Sequence, residues 1–353
     1  MLLGELEGVS GGFLYDRMLV ERLRARGHVV DVVSVPWRAH ARSVAANLRP
    51  LPPVLAEADV VLQDELCHAA VFPRNGQLRR AGIPIVALVH NLAHVQPSTR
   101  NRSVARALER RYLRAVDGIV AVCGSTLRDA RAPLERDVPT VVASAGRDHV
   151  PAARPDAAAV AARAHASGPL RVLSSAAVIR AKGLHRLLEA LALAAPGSTI
   201  ELDVAGALDA DGVYVRRVRA LVGRLGLGAR VRLHGLLRGD PLWSLYARAH
   251  VLALPSDREA YPLAVVEALG FGLPVLVTDR GGAGEVLGEG MQGCCLSPDN
   301  LAAWSAALEA FDVHRAALAR AGVAALARFA ALGTWDDVAL RVEGLCARAA
   351  VRH

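Results

Sequence analysis

Short apolar runs rich in valine, leucine and isoleucine recur along this chain, each followed by a stretch with the spacing of a helix. In the first half, strands are predicted at 28–35, 60–62, 83–89 and 118–122. A helix over 13–26 carries Tyr15, Leu19 and Leu23 on one face with Gly27 as its stop, and a basic helix covers 103–115. In the second half, strands at 170–173, 200–204, 231–233, 251–254 and 273–278 alternate with helices. Leu184, Leu187, Leu188 and Leu191 mark one helix, and Val215, Val218, Val222 and Leu225 another. Parallel strands need crossovers of this length, and strands covered on both faces read as continuous apolar runs. The alternation therefore predicts an α/β architecture with parallel sheets and helices on both faces.

At 353 residues the chain has room for two domains of the usual ~150 residues. Apolar periodicity lapses between 146 and 168, where Ala, Arg, Asp and Pro dominate, and this stretch reads as the interdomain connection, with room for one Ala-rich helical turn or two. The expected domains are 1–150 and 169–325. The tail adds a helix through Leu301, Trp304, Leu308 and Phe311, and a last one through Trp335, Val338, Val342 and Leu345 with Thr334 as cap. Trp304 and Trp335 read as packing residues. At 53% apolar and 22% charged the composition excludes disorder, and 4% aromatic weighs against a sandwich or propeller.

The net charge of +8 rests on arginine, with Lys182 the single lysine. Such a balance suits anionic substrates or an anionic membrane surface. Few aromatics are interleaved with the arginines, so nucleic acid is not an expected partner. Cys67, Cys123, Cys294, Cys295 and Cys346 match neither a zinc signature nor a disulfide framework, which points to a reducing, cytoplasmic setting. No signal peptide is evident, and the longest apolar stretches are interrupted too soon for a membrane span.

Ligands of open α/β sheets collect at the carboxyl ends of the strands, where Asp64-Glu65, His90 and Ser125 fall. Asp64 and Glu65 read as cap and turn residues. His90 is open between a substrate role and a capping one. The loop Gly8-Val9-Ser10-Gly11-Gly12 precedes the first helix and could turn backbone N–H groups towards a ligand. In the second half, Glu259 and Glu267 flank Pro262, which fits the first turn of a helix over 263–269. One carboxylate then lies in the loop and one in the helix, where they could accept hydroxyls of a polyol, or serve merely as a surface and a dipole carboxylate. Gly281-Gly282-Ala283-Gly284-Glu285 is a glycine-rich turn that lets backbone approach an anion. Lys182, between a strand and a helix, suits a cation reaching a phosphate.

Together these residues resemble the retaining glycosyltransferases of family 4 (group 1), which have a Glu-x7-Glu pair and two facing Rossmann-like domains, the GT-B architecture. The resemblance runs from Gly11-Gly12 and Gly27-His28 through His90 and Ser125 to Lys182-Gly183-Leu184. It continues through the block 256–267 to Gly272-Leu273-Pro274-Val275, Gly281-Gly282 and Glu285. It implies a nucleotide-sugar donor, UDP- or GDP-linked, and no cofactor or metal. It further implies that Glu267 binds the donor ribose, Glu259 holds the transferred sugar, Lys182 neutralises the diphosphate and His90 lies near sugar and acceptor. Gly11, Gly12, Arg180, Tyr261, Leu263, Gly281 and Gly282 complete the expected donor contacts, and a last helix over 326–353 returns to the first domain.

Two departures stand out. Ala177 occupies the place where many members carry a phosphate-binding arginine, which leaves Arg180 as the substitute, and no full strand precedes the glycine pair. The expected reaction is transfer to an acceptor hydroxyl of a glycan or lipid-linked molecule with retention, in the cytoplasm or peripherally at the inner membrane face. A non-catalytic nucleotide-sugar or glycan-binding protein, and a nucleotide-sugar epimerase, are the competing readings.

Overall fold

A computed structural model of the chain describes residues 2–3, 8, 10–35, 53–195 and 198–351. Val9 of the first glycine loop lies outside the described residues. The chain divides into two units, 1–146 with 333–353, and 147–332.

The first unit runs β1 (Leu2–Leu3), α1 (Gly11–Ala25), β2 (Ser34–Val35), β3 (Val61–Asp64), α2 (His68–Arg80), β4 (Ile85–Val89), α3 (Arg102–Leu113), β5 (Gly118–Ala121), α4 (Gly124–Arg131) and β6 (Thr140–Val142). Strands β3, β4, β5 and β6 form a parallel sheet in that order, with Leu62 opposite Val86 and Val86 opposite Gly118. Every residue of β4 is buried, as its unbroken apolar run requires. The strand found wanting before the glycine pair is present as a short one: Leu2 and Leu3 pair in parallel with Ser34 and Val35. The longer strand expected over 28–35 is confined to those last two residues, and 28–33 make no ladder.

The second unit runs α5 (Ala157–His165), β7 (Arg171–Ser175), α6 (Leu184–Leu193), β8 (Glu201–Ala205), α7 (Gly212–Arg224), β9 (Val231–Gly235), α8 (Asp240–Arg248), β10 (Val251–Leu254), α9 (Leu263–Gly270), β11 (Val275–Thr278), α10 (Ala283–Leu287), β12 (Gly293–Leu296), α11 (Leu301–Val313) and α12 (Arg315–Ala331). Its sheet is parallel with order β12-β11-β10-β7-β8-β9, the doubly wound arrangement whose direction of travel reverses between β7 and β10. The four central strands feed two cores. Val172, Val251 and Ala253 face one with Leu187, Leu188 and Trp304, while Leu173, Leu252 and Leu254 face the other with Val266, Leu269 and Phe329. Trp304 is buried in the first of these, as expected of a packing residue.

The stretch read as a connection is different. Helix α5, capped by Asp156, buries Val160 and Ala164 and packs on α12, so 147–168 belongs to the second unit. The last helix, α13 (Trp335–Ala350), opens with a capping box between Thr334 and Asp337 and joins the first unit, where it lies on α1, β5 and β6. Against the sequence expectation, residues 315–350 are long and apolar enough in composition to match a membrane span. The chain breaks them at 332–334 into α12 and α13. These bury Ala325 and Phe329 in the second unit and Trp335, Val342 and Leu345 in the first, as core helices do.

Candidate functional site

In the second unit, three turns meet at the carboxyl ends of β7, β10 and β11, astride the reversal of strand order. After β7 the chain makes a single 3-10 turn, Arg180–Lys182, and enters α6 through Gly183 at φ +70°. A Cβ at Gly183 would sit 2.0 Å from Pro255 O, so only glycine lets this turn press against the loop that follows β10. Asp257 N donates to Ala181 O from the other side, and Arg186 Nη1 pairs with Asp257 at 2.7 Å.

That loop carries Glu259, which is held on two sides. Glu259 N donates to Arg280 O and Gly282 N donates to Glu259 O, which makes a one-residue parallel bridge to Gly281. Gly281 has φ +102°, and a Cβ there would lie 2.0 Å from Glu259 O. The carboxylate is nearly buried, and its Oε1 receives both Lys182 Nζ and Ser256 Oγ at 2.6 Å. Among the described residues, Oε2 and two of the three ammonium protons of Lys182 have no further hydrogen-bond partner and can serve a ligand. Lys182 and Glu259, 77 positions apart, are thus in contact.

Glu267 sits on α9, for which Pro262 is the N-cap instead of a first-turn residue. Its Oε2 accepts from Tyr246 Oη at 2.5 Å, and its Oε1 is 3.8 Å from His149 Nε2. Tyr246 is fully buried against Trp243 and Phe271. Burial and the neighbouring Glu267 push its phenol far up, so it remains a donor. Leu263 opens α9 buried, and Tyr261 is half-buried against the core beneath. Arg180 is exposed at the start of the turn that Lys182 closes.

Of the residues grouped as donor contacts, Gly11 and Gly12 belong to the other unit, as the first residues of α1 behind the cap Ser10. There Gly12 borders His90: a Cβ at Gly12 would be 4.0 Å from the ring. His90 follows β4 directly, and its Nε2 lies 3.0 Å from Asp16 Oδ1 on α1. Tyr15, hydrogen-bonded through its hydroxyl to Ala143 O, sets its ring edge-on to both His90 and Trp335 and so fixes the rotation of α1. Glu65 accepts from the backbone N–H groups of His90 and Asn91 at 2.7 and 2.9 Å, and Asp64 caps the following turn through Leu66 N. Asp64 and Glu65 therefore are the cap and turn residues expected, but Glu65 also anchors the chain at His90. Ser125 is buried in the first turn of α4.

Burial alone would lower the His90 pKa, but the charge and hydrogen bond of Asp16, with Asp64 and Glu65 behind it, raise it to about 10. Burial and the nearby Asp64 push Glu65 up to about 8 against the pull of His90 and the two backbone donors. Asp16, Asp64 and His90 each offer one ligand-type atom within 4.8 Å of the others, a set that could also hold a cation. With Nε2 on Asp16, the arrangement is foremost a hydrogen-bonded acid–imidazole cluster.

Sequence reasoning missed Asp16, Tyr246, His149 and Ser256. Asp16 had a weak signal, as a carboxylate beside Tyr15 on the helix face headed for the core. Tyr246 was hidden with its helix α8, which the spacing of Leu242, Leu245 and Tyr246 after Asp240-Pro241 would have revealed.

Comparison with known proteins gives the family and the fold. Residues 10–149 match the model of Glycosyltransferase Family 4, and residues 158–315 that of Glycosyl transferases group 1. A D-inositol 3-phosphate glycosyltransferase of Xylanimonas cellulosilytica is 31% identical over 157 residues, 44% of this chain and 37% of the relative. The match thus spans little more than a third of that relative's length. Among solved structures, sucrose-phosphate synthase of Thermosynechococcus elongatus superposes with a TM-score of 0.79 at 20% identity, over 100% of this chain and 99% of the other. Anabaena HepE in complex with UDP-glucose gives 0.76 at 18% identity, over 98% of each chain. The chain belongs to the family 4, group 1 glycosyltransferases and has their GT-B fold.

Proposed function

We propose that this chain transfers a glycosyl group from a nucleoside-diphosphate sugar to an acceptor hydroxyl with retention and without a metal. The observation that carries the reading is the contact of Lys182 with Glu259 at the switch point of the second sheet. Charge must grow on the bridging oxygen as the diphosphate leaves. Lys182 meets that charge as a fixed ammonium in a preorganised site, assisted by the first backbone N–H groups of the helix opening at Ala283. Arg180, exposed on the same turn, stands in for the arginine absent at Ala177.

Glu259 accepts a hydroxyl of the transferred sugar through Oε2 while Lys182 and Ser256 hold Oε1. A carboxylate pinned in this way is an orienting acceptor and a poor covalent nucleophile. Glu267, steadied by Tyr246, accepts the ribose hydroxyls. The anomeric carbon–oxygen bond to the diphosphate then breaks as the acceptor oxygen bonds on the same face, and the acceptor proton passes to the departing phosphate oxygen.

The UDP-glucose in the HepE structure favours a UDP-sugar, with GDP-sugars next. The acceptor is a hydroxyl-bearing glycan or a lipid-linked molecule. For a chain of +8, we place the enzyme in the cytoplasm, drawn to an anionic membrane face. Salt-sensitive co-sedimentation with anionic vesicles is expected, and its absence overturns the attraction to the membrane.

The test of function is a turnover screen over UDP-, GDP-, ADP- and dTDP-sugars with the wild type, Lys182→Ala and Glu259→Gln. Transfer or slow donor hydrolysis that falls about 100-fold or more in both variants is the expected result. Binding without turnover of any donor would establish the non-catalytic alternative, and an isomerised donor without acceptor would establish an epimerase.

A further inference from the structure

Around His90 the first unit gathers more buried acid than the reading above requires. Asp16, Asp64 and Glu65 are 5%, 4% and 2% exposed, and they come from α1, the last residue of β3 and the first of the 3-10 turn that follows it. Among the described residues, no lysine or arginine pairs with any of them, and the single basic side chain in contact is His90. Cys67 and Tyr112, which border the same carboxyls, are pushed far up by burial and add no charge near neutrality. Burial raises the Asp64 pKa against the pull of His90 and of the Leu66 N–H, and Asp64 in turn helps to raise that of Glu65.

Asp16 is different. One of its oxygens meets His90 Nε2, and the other, Oδ2, is buried with no hydrogen-bond partner. A buried acid this poor in donors is either neutral or held beside a basic group. His90 is the basic group beside it, and the contact with Asp16 sets which ring nitrogen faces the acid. Nδ1 makes no hydrogen bond among the described residues and, unlike Asp16 Oδ2, is not an enclosed orphan.

We propose that Asp16 is a positioning residue: it holds His90 as an imidazolium, Nε2–H on Asp16 Oδ1, so that Nδ1–H is offered to an oxygen of the bound substrate. The inference rests on the transferase reading and deepens it by assigning the chemistry of the histidine. His90 then donates a charge-assisted hydrogen bond to a phosphate or hydroxyl oxygen, and is no general base for the acceptor. The glycine at position 12 leaves the ring flank open for that partner, and Tyr15 keeps the ring edge-on.

The test is imidazole nitrogen NMR of the full chain, with the His90 signals identified by their loss in His90→Gln. In the wild type, both His90 nitrogens are expected to stay protonated from about pH 6 to about pH 8, and Asp16→Asn should move the titration down to the ordinary histidine range. Transfer by Asp16→Asn should fall about tenfold or more at about pH 8, recover as pH drops towards 6 and return in part in Asp16→Glu. A merely structural role would not produce acid rescue.

A wild-type His90 that titrates near its ordinary value overturns the proposal, even if no Asp16 variant folds. An equal loss at both pH values overturns it too, as does stoichiometric binding of added Mn2+ or Zn2+ that deprotonates His90. A chain with no transferase activity on any donor would defeat the functional reading and leave the NMR result to judge the role of Asp16 separately. A transferase with neutral His90 would defeat this inference alone.

Discussion

The two units hold charge at the ends of their parallel strands by different means. In the second, Glu259 and Lys182 are fixed by backbone: Gly183 and Gly281 let three turns touch, and the acid and base sit where those turns leave them. In the first, side chains hold other side chains. Asp16 faces His90, Glu65 anchors the backbone of His90 and Asn91, and Tyr15 wedges the helix in place. The backbone-held site has an ammonium about one-third exposed, ready to meet a ligand, while the side-chain-held site keeps its charges in the interior. The first arrangement should fail when a Cβ is added, and the second when a proton is moved.

Gly281→Ala breaks the first arrangement most directly. The new methyl would meet Glu259 O in a backbone conformation that costs about 1–3 kcal/mol for other residues. We expect turnover to fall more than tenfold, in keeping with a catalytic group displaced by about 1 Å. Gly27→Ala in the first unit is the matched control, since Gly27 has φ +92° and nothing within 4 Å of a Cβ. It should lose about 1 kcal/mol by thermal unfolding and keep its turnover. If the two variants lose equal activity, contact between the glycine turns is not what holds Glu259.

The second arrangement should answer to pH. The His90 pKa is raised from 6.5 to about 10, so its contribution to stability is full below about 6.5 and is lost as pH rises through 10. Glu65, raised from 4.5 to about 8, acts in the same sense, because the folded state favours its protonated form and loses that preference as pH rises. Hydrogen exchange in α1 and α13 should therefore quicken between about pH 7 and 10 more than in α6 and α9 of the second unit, and the melting temperature should drop about 2–4 °C for each kcal/mol lost. His90→Gln should flatten much of that slope. An equal response in both units would remove the contrast.

How much of this could be read from the residues depended on side-chain size and on distance along the chain. Strands such as β4 and β11 were legible because their apolar runs are unbroken, and Lys182 stood out in an arginine-rich chain. Helices α5 and α12 were not. They meet through small residues: a Cβ at Gly322 would lie 2.6 Å from Val160 and 2.8 Å from Gly272 O, so the helices approach more closely than a large apolar stripe would permit. A reading built on leucine and valine spacing finds a single valine, Val160, in α5, and so takes a packed helix for a helical turn or two within a connection. Asp16 was obscured for another reason. Its partner lies 74 positions away, and a carboxylate on a core-facing helix position makes sense only once that partner is known.

The smallest expected effect probes whether the second unit also relies on a side-chain support. Tyr246 comes from α8 and reaches Glu267 on α9, so this carboxylate is held as His90 is, and not by turns as Glu259 is. Tyr246→Phe keeps the ring against Trp243 and Phe271 and removes one hydrogen bond to a charged oxygen, about 1.5–3 kcal/mol if wholly lost. Water or His149, already 3.8 Å from Oε1, can take up part of that. The donor KM should therefore rise about three- to tenfold with kcat little changed, since a ribose contact is made equally in the ground and transition states. A fall in kcat at constant KM would instead place Glu267 among the groups that respond to the reacting centre, and would bring its support closer in kind to that of His90.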